Sequence, residues 1–203
     1  MAGAPAVIVA HPSVPAKSVP ELVKLAKASP GKFNIATPGV GTLPDLSAAL
    51  LKMTEKVDIV SVPYSGAAPA LGAVLANQVQ SAYMALPTVV QHVQSGRLRG
   101  LAVTSAKRAP SMPDVLTVSE QGLVDHESEI PNGVMVPAGT PAPIVRRLYK
   151  EVTTIVAQPD TRERIVGLGY TVISSTPEQF AAQIRNEVAK WGNVIKSAGI
   201  KDE

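Results

Sequence analysis

Not one cysteine occurs among the 203 residues, which removes disulfides, thiolate nucleophiles and cysteine-based metal sites together. That absence suits periplasm and cytosol alike. Aromatics are scarce as well, with one Trp, four Tyr and two Phe, so Ala, Val, Leu and Ile must fill the core. Single-stranded nucleic-acid binding, which needs stacking platforms, is disfavoured for the same reason. No apolar run approaches the roughly 20 residues of a membrane span. The start, Met1-Ala2-Gly3-Ala4-Pro5, has neither the charged residues nor the long apolar stretch of a signal peptide.

Acid–base chemistry has few candidates. His11, His92 and His126 are the only histidines, and none has a partner at metal-ligand spacing. No Gly-x-Ser-x-Gly elbow surrounds any serine. Asp114, Asp125, Glu127 and Glu129 form an acidic patch that reads as solvated surface rather than a metal site. The expectation is therefore no catalytic residue, no metal and no cofactor. The net charge of +3 comes from Lys and Arg scattered without a dense cluster, which argues against nucleic acid as a partner.

What is present is alternation. The chain is long enough for one large domain or two small lobes. Ala6 to Ala10 reads as a buried strand, and Ser18-Val19-Pro20-Glu21 as a capping box opening a helix of about ten residues. Strands follow at 32–37, 57–62, 79–84 and 98–104, with helices at 44–53, 67–76 and 86–95 between them. This β–α order implies parallel strands with helices on both faces. Residues 105–130 read as a connecting segment. Beyond it come a strand at 133–136, a helix opening at an N-cap Thr140 with Pro141 in first position, a second helix after Pro159-Asp160, a strand at 171–173, and a helix capped by Thr176-Pro177-Glu178-Gln179. In that last helix Phe180, Ile184, Val188, Trp191 and Ile195 recur every three or four residues, which predicts one core face.

The most informative loop is Thr37-Pro38-Gly39-Val40-Gly41-Thr42, which leaves a strand and enters a helix N-terminus. Unpaired amides and the positive end of the helix dipole favour a carboxylate or phosphate there. A second such turn is Tyr64-Ser65-Gly66-Ala67-Ala68. In an open parallel sheet both lie at the edge where ligands bind. The pattern alone leaves open whether these are amide nests or merely tight, capped turns. A third Gly and a Gly-Lys-Ser/Thr are both missing, so nucleotide binding is disfavoured. Asp45, in the first turn of the same helix, caps free amides well but repels a nearby anion.

Seven ordered phrases carry a resemblance that spans nearly the whole chain: Pro15-Ala16-Lys17-Ser18-Val19, Pro30-Gly31-Lys32, the Gly-x-Gly at Gly39 and Gly41, Val62 to Ala70, Leu101 to Arg108, Pro137-Ala138-Gly139-Thr140-Pro141, and Ser175 to Phe180. Together they resemble the Bug (TctC-like) solute-binding proteins of tripartite tricarboxylate transporters. The resemblance implies a type II periplasmic-binding-protein fold, in which two lobes meet at a hinge and close over a carboxylated solute for delivery to membrane subunits. It puts residues 1–124 in a second lobe and 125–203 in the carboxyl-terminal part of the first, and implies a leading segment upstream that this chain does not contain. By the motif match, Thr37, Gly39, Gly41 and Thr42 form one wall of the site, with Tyr64, Ser65, Gly66, Ala67 and Ala68 beside them. Where family members have a His, an acid and a Trp, this chain has Asp45, Met84 and Pro131; Met84 is carried as a site position. The alternative expectation is a self-associating interaction protein, a homodimer covering apolar surface that the leading segment would otherwise cover.

Overall fold

The computed structural model describes residues 2–200. Its strands are β1 (Ala2–Ala10), β2 (Phe33–Thr37), β3 (Ile59–Pro63), β4 (Ser81–Ala85), β5 (Arg99–Val103), β6 (Glu129–Asn132) and β7 (Thr171–Val172). Its helices are α1 (Val19–Ala28), α2 (Leu43–Glu55), α3 (Ala67–Leu75), α4 (Leu86–Gln94), α5 (Ala142–Ala157), α6 (Pro159–Gly167) and α7 (Pro177–Ala198). Through β5 the alternation matches the sequence reading to within a few residues. No helix among the described residues is long and apolar enough to cross a membrane.

Local chemistry explains the boundaries. The Ser18 hydroxyl accepts the Glu21 amide at 3.3 Å, while the Glu21 carboxylate accepts from the Lys17 amide at 2.7 Å, one residue before the expected return to Ser18. At α7 the reciprocal pair is complete, Thr176 with Gln179. Val19, Leu22, Val23 and Ala26 turn one stripe of α1 inward.

The strand order is β3-β2-β4-β1-β5. β2 runs parallel to β3 and to β4, but β1 is antiparallel to both β4 and β5. The sheet is thus mixed, and β1 is the strand that departs from the parallel direction implied by the alternation. A strand buried on both faces shows the same apolar run whichever way it points, so its direction is set by partners and connections rather than by its own pattern. Along β1 the alternation is strict: Ala6, Ile8 and Ala10 pack toward α1 and α2, and Val7 and Val9 toward α3 and α4. Each fully buried Ile or Val contributes about 1.5–3 kcal/mol.

β1 also belongs to two sheets. Ala6 to Ala10 pair with β4 and β5, whereas Ala2 to Pro5 pair with β6, and Ala2 and Gly3 also with β7. At the changeover the Thr104 hydroxyl accepts the Ala6 amide at 2.8 Å and donates to the Ser128 carbonyl at 2.6 Å.

The carboxyl-terminal portion departs from expectation in three places. The strand foreseen at 133–136 lies at 129–132 instead. Val134 and Met135 are 60% and 72% exposed, and their apolar run finds no strand partner among the described residues. Thr140 does not cap α5: its hydroxyl donates to the Pro137 carbonyl at 2.8 Å, and the N-cap is Pro141. The apolar face of α7 divides, with Trp191 packed beside Val194 and Leu46, Phe180 and Ile184 lining an open groove of about 320 Å³, and Val188 68% exposed.

Candidate functional site

β2 and β3 end in register, Thr37 opposite Pro63, so the two glycine-bearing turns leave the same edge side by side. The Tyr64 amide donates to the Thr37 carbonyl at 2.9 Å. Gly39 has φ of 152°, a region that favours glycine, and a Cβ there would stand 3.4 Å from the Tyr64 carbonyl oxygen. The structure therefore brings together Thr37, Gly39, Gly41, Thr42 and Tyr64 to Ala68. Because β4 lies on the other side of β2, the start of α4 joins them. Three helix N-termini, those of α3, α2 and α4, line up along one rim.

These N-termini are not equivalent. In the first turn some donors are spent: the Gly41 amide donates to Asp45 Oδ2 at 3.1 Å, and the Thr37 hydroxyl to Asp45 Oδ1 at 3.0 Å, while the amides of Val40, Leu43 and Asp45 have no protein acceptor among the described residues. The Thr42 amide and hydroxyl both go to the Gly39 carbonyl, at 3.3 and 2.8 Å. Thr37 is fully buried and Asp45 is 7% exposed. The expectation of unpaired amides at Gly41 and Thr42 is corrected accordingly. At α4 no side chain caps the terminus, but Gly169 lies against Leu86 and the Pro87 backbone. Met84 is fully buried among Val7, Val9 and Leu86, inside the core rather than on the rim.

The α3 terminus is open. Its N-cap is Gly66, with φ of 139°, no side-chain cap and no acid in the first turn. Ser65, Ala67 and Ala68 are exposed, and the amides of Ser65 to Ala68 have no protein acceptor among the described residues. Four donors and an uncompensated dipole end make a place where a carboxylate is stabilised.

Elsewhere, His11 bonds locally to Ser13 at 2.7 Å, and His126 to Thr54 at 2.8 Å. Burial pushes the His126 imidazole below its ordinary range, against a raising influence from Glu55 and Asp125 and a further lowering one from Lys190. Asp125, Glu127 and Glu129 line an open polar groove with Gln183, Glu187 and Lys190. Burial raises the Glu129 carboxyl, and the Glu127 charge adds to the rise. No group of three His, Asp or Glu is placed to hold a metal among the described residues. The sequence reading gave Thr104 and Ser128 no role. The single available signal was a hydroxyl residue at the start of the connecting segment and another near its end.

Residues 1–200 match the family model described as "Tripartite tricarboxylate transporter family receptor". The chain is 33% identical over 192 residues to the "UPF0065 protein in tcbD-tcbE intergenic region" of Pseudomonas sp. (strain P51), covering 94% of this chain and 57% of that protein. Among solved structures, "R. palustris Rpa4515 with adipate" is similar at 30% identity with a TM-score of 0.90, covering 98% of this chain and 67% of that one. "MatC (Rpa3494) from Rhodopseudomonas palustris with bound malate" is similar at 30% identity and a TM-score of 0.82, over 96% of this chain and 67% of that one. The chain thus spans little more than half the length of the curated relative it matches and two thirds of these solved chains. Fold and family model agree, and the chain belongs to the receptor family of tripartite tricarboxylate transporters.

Proposed function

We propose that this chain contributes one wall of a periplasmic receptor that binds a small carboxylate, an organic or amino acid, for a tripartite tricarboxylate transporter. The observation that carries the reading is the α3 N-terminus, whose four amides from Ser65 to Ala68 face no protein acceptor among the described residues and which stands on the strand-end rim beside the Gly39 turn. A carboxylate accepts several amide bonds at once and complements the dipole end without needing an arginine. The relatives with adipate and malate support a carboxylate as the solute class. In this reading 1–124 and 125–203 form separate lobes, and the membrane subunits of the transporter are the partners. Titration calorimetry against a panel of organic and amino acids, on a protein of the relatives' full length that carries this chain, tests the proposal. Heat of binding from at least one carboxylate, and none from its amide, is expected; silence across the panel removes the reading.

A second reading rests on a different observation. Val134, Met135, Ile144, Leu148 and Tyr149 present exposed apolar surface around the groove beside α5 and α7, and such a patch favours self-association. Light scattering separates the two: a monomer at all concentrations excludes assembly through this face.

A further inference from the structure

Three segments carry the protein from one sheet to the other, and they converge on Ser128. β1 passes across at Pro5 and Ala6, with Pro5 opposite Glu129 and Ala6 opposite Ala85. On one side of β1 the ladder lapses there, because β7 pairs only as far as Gly3 and β4 begins at Ala6. On the other side the second crossing runs through Ser128, whose amide donates to the Thr104 carbonyl at 3.0 Å. The third is α7, with Phe180 and Ile184 at the groove beside α5 and Trp191 and Val194 packed on Leu46 of α2. Between those two ends the Lys190 ammonium donates to the Glu127 carbonyl at 2.7 Å. An open polar groove of about 800 Å³, lined in part by Thr104, Ser128, Glu129 and Lys190, adjoins the crossings and leaves them room to move.

The Thr104 hydroxyl at the centre has more acceptors than hydrogens. Its oxygen accepts the Ala6 amide at 2.8 Å, and its one hydrogen has two carbonyls in reach, Ser128 at 2.6 Å and Ala6 at 3.1 Å. The shorter contact lies within the ordinary range for a hydroxyl donor and the longer at its limit, so the hydrogen points to Ser128. The Ala6 carbonyl belongs to the first sheet and is tied to the Thr104 amide at 2.9 Å. The Ser128 carbonyl belongs to the segment entering the second sheet. A tilt that draws Ser128 away therefore leaves the hydroxyl another buried acceptor. No donor is stranded in either arrangement, and stranding a donor is what makes a buried joint stiff.

We propose that the joint at Pro5, Thr104 and Ser128 is a hinge between the two lobes, and that the Thr104 hydroxyl is its switch, bonded to Ser128 in the present arrangement and to Ala6 in a tilted one. This rests on the two-lobe part of the receptor reading given above and adds where and how the lobes turn. Hinges are a few element-end residues that absorb a rotation, and a choice between two bonded states makes the rotation a step between discrete positions.

Relaxation dispersion of carbonyl carbons and amides in the full 203-residue chain, without solute, tests the proposal. The Ala6 and Ser128 carbonyls, and the amide of Gly169 where it lies against Leu86, are expected to exchange at one common rate. Asn34 and Val60 in the β2–β3 ladder are expected to stay quiet. Partial deuteration of the Thr104 hydroxyl is expected to split the Ser128 carbonyl resonance and, more weakly, that of Ala6. In Thr104→Val the common rate is expected to change by about tenfold, and in Thr104→Ser, which keeps the hydroxyl, to persist. Leu22→Ala weakens the core under α1 without touching the joint and is expected to leave the rate as it was. A lack of exchange at both carbonyls overturns the proposal, as does a folded Thr104→Val that keeps the original rate or a Leu22→Ala that alters it equally. Should Thr104→Val not fold, the deuteration pattern decides, and a splitting confined to Ser128 overturns the switch. No solute enters this test, so a silent calorimetric panel leaves its result standing, and a rigid joint leaves the carboxylate reading to the calorimetry.

Discussion

The Thr104 hydroxyl donates to the Ser128 carbonyl at 2.6 Å, and both residues are buried. The same oxygen accepts the Ala6 amide, and the Ser128 amide returns a bond to the Thr104 carbonyl at 3.0 Å. One side chain therefore pins β1, the end of β5 and the segment entering β6.

Thr104→Val keeps the shape and strands two buried backbone groups, so a loss of about 2–3 kcal/mol is expected. Thr104→Ser is expected to retain most of it. Urea midpoints at constant slope measure both, and equal stability of the valine variant contradicts the assignment.

Tyr83 is fully buried among Ile8, Leu22 and Leu101, and its hydroxyl has no hydrogen-bond partner among the described residues. Burial pushes its ionisation above the ordinary tyrosine range. Tyr83→Phe removes an uncompensated polar group, and its melting temperature is expected to equal or exceed that of the unaltered protein by the equivalent of about 1 kcal/mol. A clear drop would mean that the hydroxyl is bonded in solution.

Burial lowers the His126 pKa in the folded chain, so the folded state favours the neutral ring. The unfolded ring titrates near 6.5. The stability tied to neutral His126 is present above that value and is lost as pH falls through the lowered folded value. His126→Gln is expected to flatten the decline in unfolding free energy between neutral and mildly acidic pH. An unchanged profile would dissociate His126 from it.

Leu46 and Val194 pack beside Trp191, the only tryptophan in the chain. Leu46→Ala opens a cavity against the indole, with an expected cost of about 2–4 kcal/mol. The emission of Trp191 is expected to move to longer wavelength in the folded variant. Unaltered emission would place the ring elsewhere.

What the sequence made legible was whatever a residue decides with its near neighbours. Ser18 and Thr176 start helices because a hydroxyl three residues before a free amide can reach it, and that spacing is visible in one dimension. The alternation of Ile8 and Val9 announces a strand buried on both sides. It says nothing about direction, which the flanking β4 and β5 impose. The run from Gly133 to Val136 looked like a strand because apolar residues normally imply a partner, and here they line an open groove. The two glycine-bearing turns were legible as loops, but their difference was not. Asp45 had two uses, as a helix cap or as a hindrance to an anion, and only its distances show that it accepts from the Gly41 amide and the Thr37 hydroxyl.

β1 runs without a break from the sheet of β6 and β7 into the sheet of β4 and β5. A strand committed on both sides cannot fray at one end and leave the other intact, because the twist it carries is shared by everything laddered to it. Heat or denaturant should therefore dismantle both sheets in one cooperative transition, and the amides along Ala2 to Ala10 should exchange with solvent as a single protected block.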